Sequence, residues 1–196
     1  MDELLSNGAA DSTYLLTFRE ESSTKPIAPG ACTMNTFVKK GTIIQREGSL
    51  QLNSYAVVKG LLRSYIIDEN GKEHIYMFAP EGWIIGDSHA AFIHGETRIF
   101  IDALEDSEIT TLDLTIDNLS TEELKISLEK ALRRLGVLQN RVLMQMSSSA
   151  WDRYQHFVEI YPDLLARVPQ RMIASYLGIT PQALSRIRGE WAKSNT

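Results

Sequence analysis

The stretch Val168-Pro169-Gln170-Arg171-Met172-Ile173-Ala174-Ser175-Tyr176-Leu177-Gly178-Ile179-Thr180-Pro181-Gln182-Ala183-Leu184-Ser185-Arg186-Ile187-Arg188 decides the reading of this chain. It spells helix, tight turn, helix. Pro169 suits the first turn of a helix, where a missing N–H is no loss. Ile173, Ala174 and Leu177 form one apolar face, and small Ala174 lets a second helix approach closely. Gly178 stands where the chain must turn sharply. Thr180 can then cap the second helix, with Pro181 at its first position.

At about 100° per residue, Ala183, Leu184 and Ile187 point to one side of this second helix while Gln182, Ser185 and Arg186 point to the other. Arginine can bond guanine through O6 and N7, and glutamine can bond adenine, so Gln182, Ser185 and Arg186 are expected to meet base edges in a major groove. Gln170, Arg171, Thr180 and Arg188 lie near helix starts or flanks, where amides and cations meet phosphates. A packed helical hairpin with a solvated polar face would share part of this pattern. The small, glycine and apolar positions all fall in helix-turn-helix register, which favours DNA.

Upstream runs a long helical pattern. Ser120-Thr121-Glu122-Glu123 fits a capping box. From there Leu124, Leu128, Ala131, Leu135, Leu138, Val142 and Gln145 or Met146 recur at spacings of three and four, predicting a helix over about Thr121 to Met146. Its length, roughly 40 Å at 1.5 Å per residue, is too great for burial within so small a chain. The sustained heptad spacing fits a seam between two copies; an amphipathic helix lying on its own β domain would show the same stripe. Ser147-Ser148-Ser149 interrupts the pattern, and Ser149 with Asp152 can cap a further helix to about Ile160, closed by Pro162.

From about Phe37 to Leu114 the texture is β-rich. Short runs, Thr42–Ile44, Tyr55–Val58, Leu61–Ile67, Glu73–Phe78, Ile99–Ala103 and Ile109–Leu114, are separated by turn residues. Asn70-Gly71 between two of them predicts a hairpin with a type I′ turn.

The whole chain has 196 residues, 43% hydrophobic and 23% charged, which is globular composition and excludes a mostly disordered or fibrous chain. No apolar run is long enough for a membrane span and Met1-Asp2-Glu3 opens acidic, so a cytoplasmic protein without membrane partner is expected. One cysteine, Cys32, allows no internal disulfide and no site built on several thiolates. Net charge is −5. Between Asp163 and Thr196, however, Arg167, Arg171, Arg186, Arg188 and Lys193 face only Asp163 and Glu190, a net +3 that leaves −8 on the rest. Such asymmetry suggests that this end meets an anion; uneven surface charge alone would also produce it. Residues 1–35 carry helical fragments and a looser stretch at Ser22–Pro26, with no motif.

A glycine-punctuated β-rich region, a long helix, then Tyr161-Pro162-Asp163-Leu164-Leu165 leading into Val168-Pro169-Gln170 and Ile173–Thr180 together resemble the Crp/Fnr family of bacterial transcription regulators. The resemblance covers about Phe37 to Arg188. It implies an α+β fold: an N-terminal jelly-roll-like β-roll sensor domain of the cyclic-nucleotide-binding type (1–118), a dimerisation helix (119–147) and a helix-turn-helix DNA-binding domain (148–196). Implied partners are double-stranded DNA, a second copy pairing through Leu124, Leu128, Ala131, Leu135, Leu138 and Val142, and RNA polymerase.

Two departures qualify what the resemblance implies. Family members that bind cyclic nucleotides hold the ribose with a Gly-Glu pair and the phosphate with an arginine about ten positions on. Here the effector-site positions read Gly86-Asp87-Ser88, and Thr97 falls at the arginine position with Arg98 one residue away, on the opposite face of a strand. Dependence on cyclic AMP is therefore not expected, and any small-molecule effector is left unidentified. Secondly, only eight residues follow Arg188, too few for the β-hairpin wing that often follows the recognition helix. Neither a cofactor nor a metal is expected: His74, His89, His94 and His156 are scattered. The rival reading is a cupin-like metal-dependent enzyme or a ligand-binding β-roll without DNA function. The close His-x-His pair of such a metal site, the P-loop, the dinucleotide fingerprint and Gly-x-Ser-x-Gly are all absent, so no enzyme is expected.

Overall fold

The computed structural model describes residues 35–50, 53–93, 95–112 and 120–194. Cys32, the N-terminal fragments and His94 lie outside the described residues, as do the side chains of Glu123 and Ala131.

Among the described residues eight strands lead: β1 (Asn35–Val38), β2 (Ile43–Gln45), β3 (Ser54–Lys59), β4 (Leu62–Ile67), β5 (Glu73–Ala79), β6 (Ile84–Ile85), then, after the short helix α1 (Ser88–Ile93), β7 (Phe100–Ala103) and β8 (Ser107–Leu112). They form two antiparallel four-stranded sheets, in the orders β1-β8-β3-β6 and β2-β7-β4-β5. Val38, Val57, Leu62, Ile85, Ile101 and Ile109 fill the space between the sheets. Strand alternation sends those residues inward and leaves neighbours such as Val58 and Ile66 exposed. This is the expected β-roll. β1, β6 and α1 were not read from sequence, since four, two and six residues give periodicity too little to work on.

The β4–β5 hairpin forms where Asn70-Gly71 places it, with a different turn from the expected one. Gly71 N–H donates to Asp68 C=O (2.9 Å), Gly71 follows at φ 77°, and pairing resumes with Asp68 N–H to Lys72 C=O (3.0 Å). The Asp68 carboxylate accepts the Asn70 and Lys72 amides, both at 2.9 Å, and so favours this longer loop with a glycine bulge over a two-residue turn.

Helix α2 spans Thr121–Ser147, one residue past the sequence expectation. α3 (Ala150–Ile160) starts with the reciprocal cap read from Ser149 and Asp152: Asp152 N–H donates to Ser149 Oγ (3.2 Å) and Ser149 N–H to Asp152 Oδ2 (3.0 Å). Then follow α4 (Leu164–Arg167), α5 (Gln170–Leu177) and α6 (Pro181–Ser194).

The described part of the α2 stripe is not buried against its own β-roll. Leu124, Leu128, Leu135, Leu138 and Val142 are all exposed, Leu135 by 60%, as are Leu132, Leu143 and Met146. A second core lies elsewhere. Leu61, Tyr65, Ile75 and Phe78 of the roll join Tyr154, Phe157, Tyr161, Leu164, Ile173, Leu177, Leu184 and Ile187 in one buried cluster. Phe78 packs edge-on against Phe157 and Tyr161, with ring centroids 6.3 and 6.0 Å away. Helices α3–α6, the head of the molecule, are thus seated on the β4–β5 face of their own chain.

Candidate nucleic-acid interface

Helices α5 and α6 meet through a tight turn whose geometry follows from Gly178. It adopts φ 68°, ψ 32°, a left-handed conformation costly for residues with a Cβ. Its N–H donates to Ser175 C=O (3.1 Å) and the Ile179 N–H to Ala174 C=O (3.0 Å), which satisfies two carbonyls at the end of α5. Arg153 takes a third: its guanidinium donates to Leu177 C=O (3.2 Å) and to Ser148 C=O (2.8 Å), tying the turn back to the end of α2. Arg153 was not read from sequence, because a charged residue on a helix face carries no sign of which carbonyl it will reach.

Thr180 caps α6 as expected, its Oγ1 accepting the Ala183 N–H (3.2 Å), while its own hydroxyl proton can still donate. Pro169 is the residue before α5, one position earlier than expected, with ψ 142°. Its C=O accepts the Met172 N–H (2.9 Å). Leu184 and Ile187 are buried against Ile173, Ala174 and Leu177. The remaining face of α6 carries Gln182, Ser185 and Arg186, all exposed; Gln170, Arg171 and Thr180 are exposed beside it and Arg188 is half-buried. The residues expected at bases therefore share one solvent-facing surface on a rigidly backed helix. Residues after Arg188 extend α6 to Ser194.

One basic residue counted toward this surface belongs elsewhere. Arg167 points at the β-roll, donating to both oxygens of Glu81 (2.9 Å each), both of Glu105 (3.0 and 2.7 Å) and Gly60 C=O (3.1 Å). The hydrogen bonds it donates to Glu105 and Glu81 raise its already high pKa, burial opposing them. Burial alone would raise the Glu81 carboxyl, yet the Arg167 guanidinium and nearby amides hold it below the usual range. A count of charges along the chain cannot separate Arg167 from Arg171.

At the expected effector position the carboxylate is occupied by the protein itself. Asp87 Oδ1 caps α1 by accepting the Ala90 N–H (3.0 Å), and Oδ2 accepts the Thr97 hydroxyl proton at 2.6 Å. Burial pushes the Asp87 carboxyl up, but Thr97 and the amides of Ala90, Arg98 and His89 pull it below its ordinary value. Gly86 lies against β3, where a Cβ would sit 2.6 Å from Ser54 Oγ. Thr97 is 1% exposed and also meets Gln45 Nε2 (3.1 Å), whereas Arg98 and Ser88 are exposed. Thr97 and Arg98 thus part company, one buried and one exposed, although both precede β7 and neither lies in the expected strand. Deeper in the roll, Gln45 and Ser64 both pair with Ile101 across their sheet, and Gln45 Oε1 and Ser64 Oγ are buried without a protein partner.

Among the described residues no group of three or more His, Cys, Asp and Glu side chains is placed to hold a metal ion, and no helix is long and apolar enough to cross a membrane.

A β-roll followed by a long helix and a helix-turn-helix is the architecture of the Crp/Fnr regulators. In solved structures the chain overlays FixK2 from Bradyrhizobium japonicum with a TM-score of 0.67 at 19% identity, covering 83% of this chain and 86% of that one. It overlays a CooA mutant from Carboxydothermus hydrogenoformans with a TM-score of 0.61 at 23% identity, covering 83% and 77%. In sequence it is 27% identical over 175 residues to the fumarate and nitrate reduction regulatory protein of Escherichia coli K12, covering 80% of this chain and 68% of that protein. The Yersinia pestis protein of the same name is 28% identical over 179 residues, covering 81% and 68%. No family model matches the chain. The chain is similar to the Crp/Fnr family in sequence and has its fold.

Proposed function

We propose that the chain is a sequence-specific DNA-binding transcription regulator of the Crp/Fnr type, working as a homodimer and without cyclic AMP. The observation that carries this reading is the exposed trio Gln182, Ser185 and Arg186 on a helix whose other face is locked by Leu184 and Ile187. In the proposed complex α6 enters the major groove, its trio reads base edges, and Gln170, Arg171, Thr180 and Arg188 hold phosphates. Two copies pair along Leu124, Leu128, Ala131, Leu135, Leu138 and Val142, since a stripe of exposed leucines at heptad spacing is costly in water and supplies a coiled-coil seam. The pair would present two reading helices to successive major grooves, with centres about 34 Å apart. The proposed division is roll 1–118, pairing helix 119–147 and head 148–196, in a cytoplasmic protein that is not an enzyme; contact with RNA polymerase completes the proposed role.

The absence of cyclic AMP from this proposal rests on Asp87, whose two oxygens serve α1 and Thr97, and on Arg98, which is exposed. If an effector acts, it is a small molecule that shifts the balance between two arrangements of the pair by binding one better.

The test is selection from a random DNA library by the purified protein, with and without cyclic AMP. The expected result is one enriched palindrome with half-sites about one helical turn apart, unaffected by the nucleotide. Failure to enrich any sequence under either condition, or enrichment only with cyclic AMP, would overturn the corresponding part of the proposal.

A further inference from the structure

The side of the head turned away from the reading helix is held by groups that DNA recognition does not use. Among the described residues β5 is an edge strand of its sheet, so one row of its backbone groups has no strand partner there. Side chains from the helices take those places. Ser175 Oγ accepts the Ile75 N–H (3.1 Å) and donates to Glu73 C=O (2.9 Å); Tyr161 OH donates to Phe78 C=O (3.2 Å). Arg141 of α2 donates to Tyr76 C=O and lays its guanidinium over the Tyr176 ring, 4.2 Å from the centroid.

Arg167 closes the other end of this face. It sits at the end of α4, just before α5, and grips three loops of the roll at once: Gly60 between β3 and β4, Glu81 between β5 and β6, and Glu105 between β7 and β8. Both carboxylates are bound through two oxygens each, which fixes the plane of the guanidinium as well as its position. A lysine could supply the charge but not the fork. Glu81 Oε1 is itself oriented by the Gly60 N–H (2.9 Å), so the receiving side of the clamp is preset.

We propose that Arg167 is a positioning residue for DNA recognition: by clamping α4 to the three loops it sets the angle at which the reading helix stands on its own roll, and so the half-site spacing that a pair of chains accepts. This rests on the DNA-binding reading above and adds a division of labour to it. Gln182, Ser185 and Arg186 choose the bases; Arg167, touching neither base nor phosphate, chooses the distance between the two sets of bases. A head free to tilt could follow half-sites moved by one base pair, about 3.4 Å along the axis, whereas a clamped head could not.

The experiment selects from a library in which two randomised half-sites are separated by spacers of varied length, using the full chain, Arg167→Ala, and the double variant Glu81→Gln with Glu105→Gln. Alongside it, hydrogen exchange at the Ile75 amide reports head docking without any DNA. Both variants are expected to keep the half-site sequence, to widen a single preferred spacer to its neighbours on either side, and to speed Ile75 exchange by about tenfold. The double variant leaves the head's own sequence intact, so it decides the matter if Arg167→Ala fails to fold. Arg167→Lys should restore the charge and only part of the spacer selectivity. A spacer preference as narrow in both variants as in the original, or affinity lost equally at every spacer, would overturn the proposal. An original protein that enriches no half-site would instead remove the DNA reading, and this role with it.

Discussion

The two faces of the head are built from the same residue types to opposite ends. Toward solvent, Gln182, Ser185, Arg186 and Arg171 stand exposed on helices whose backs are buried. Toward the β-roll, Ser175 and Arg167 of the head and Arg141 of α2 are each satisfied by named carbonyls or carboxylates, around a cluster of Phe78, Phe157, Tyr161 and Tyr176. One face commits its donors to the fold and the other leaves them in solvent. Exposure and hydrogen-bond partners therefore separate arginines committed to the fold from arginines left to solvent where composition cannot.

The largest effect should come from breaking the roll-facing side. Phe157→Ala, fully buried in that cluster, is expected to cost about 3–5 kcal/mol, read as a fall in the urea midpoint. Because roll and head share this core, a single transition should shift; if only a minor, head-specific transition moved, the two would be independent units. On the solvent face the opposite is expected. Arg186→Ala should leave the urea midpoint within about 0.5 kcal/mol of its original value. It should also remove base preference at one position of each half-site, a loss of about 1–3 kcal/mol in a binding-site selection. Tyr161→Phe keeps the ring and removes the hydroxyl that donates to Phe78 C=O and is hydrogen-bonded to Tyr176, so a loss of about 0.5–1.5 kcal/mol in stability is expected, with DNA specificity unchanged.

Arg171→Ala should weaken binding to all sequences alike and reduce the slope of affinity against salt by about one ion, measured by titration at several salt concentrations. The smallest effect is one of pH. The Glu81 carboxyl is held below its ordinary value near 4.5, so its contribution to docking is present above that pH and fades as acid protonates it. The stability difference between the original and Glu81→Gln, measured across the acid range, should be constant near neutrality and shrink once pH drops below 4.5. A difference that grew in acid would reverse the assignment.

Much of this was legible in the chain because it depends on local chemistry. Gly178 had to be the turn, since the left-handed conformation there excludes most side chains, and Thr180 and Ser149 could be read as caps because a hydroxyl reaches only the next turn of its own helix. Leu128 and Leu135 kept two interpretations open in sequence; exposure from their own core removes the interpretation of a helix lying on its own roll. What stayed hidden depends on partners far along the chain. Arg167 meets Glu81 and Glu105 across 86 and 62 positions, a pairing that no local pattern encodes. Asp87 is intermediate: its mismatch with the family's glutamate was visible, but its cap on α1 and its bond to Thr97 explain why the shorter acid fits.

The seating of the head on β5 also bears on ancestry. A helix-turn-helix is often pictured as a cassette that recombination can move from one sensor to another. Here Ser175 and Tyr161 bond to the Glu73–Phe78 edge, and Arg167 to Glu81, Glu105 and Gly60 C=O. A crossover between roll and head would inherit one half of that joint without the other, leaving buried donors and a strand edge unmatched. Descent should therefore have kept the two halves together, and a chimera of this head on a foreign roll would need the receiving edge and both glutamates transplanted with it.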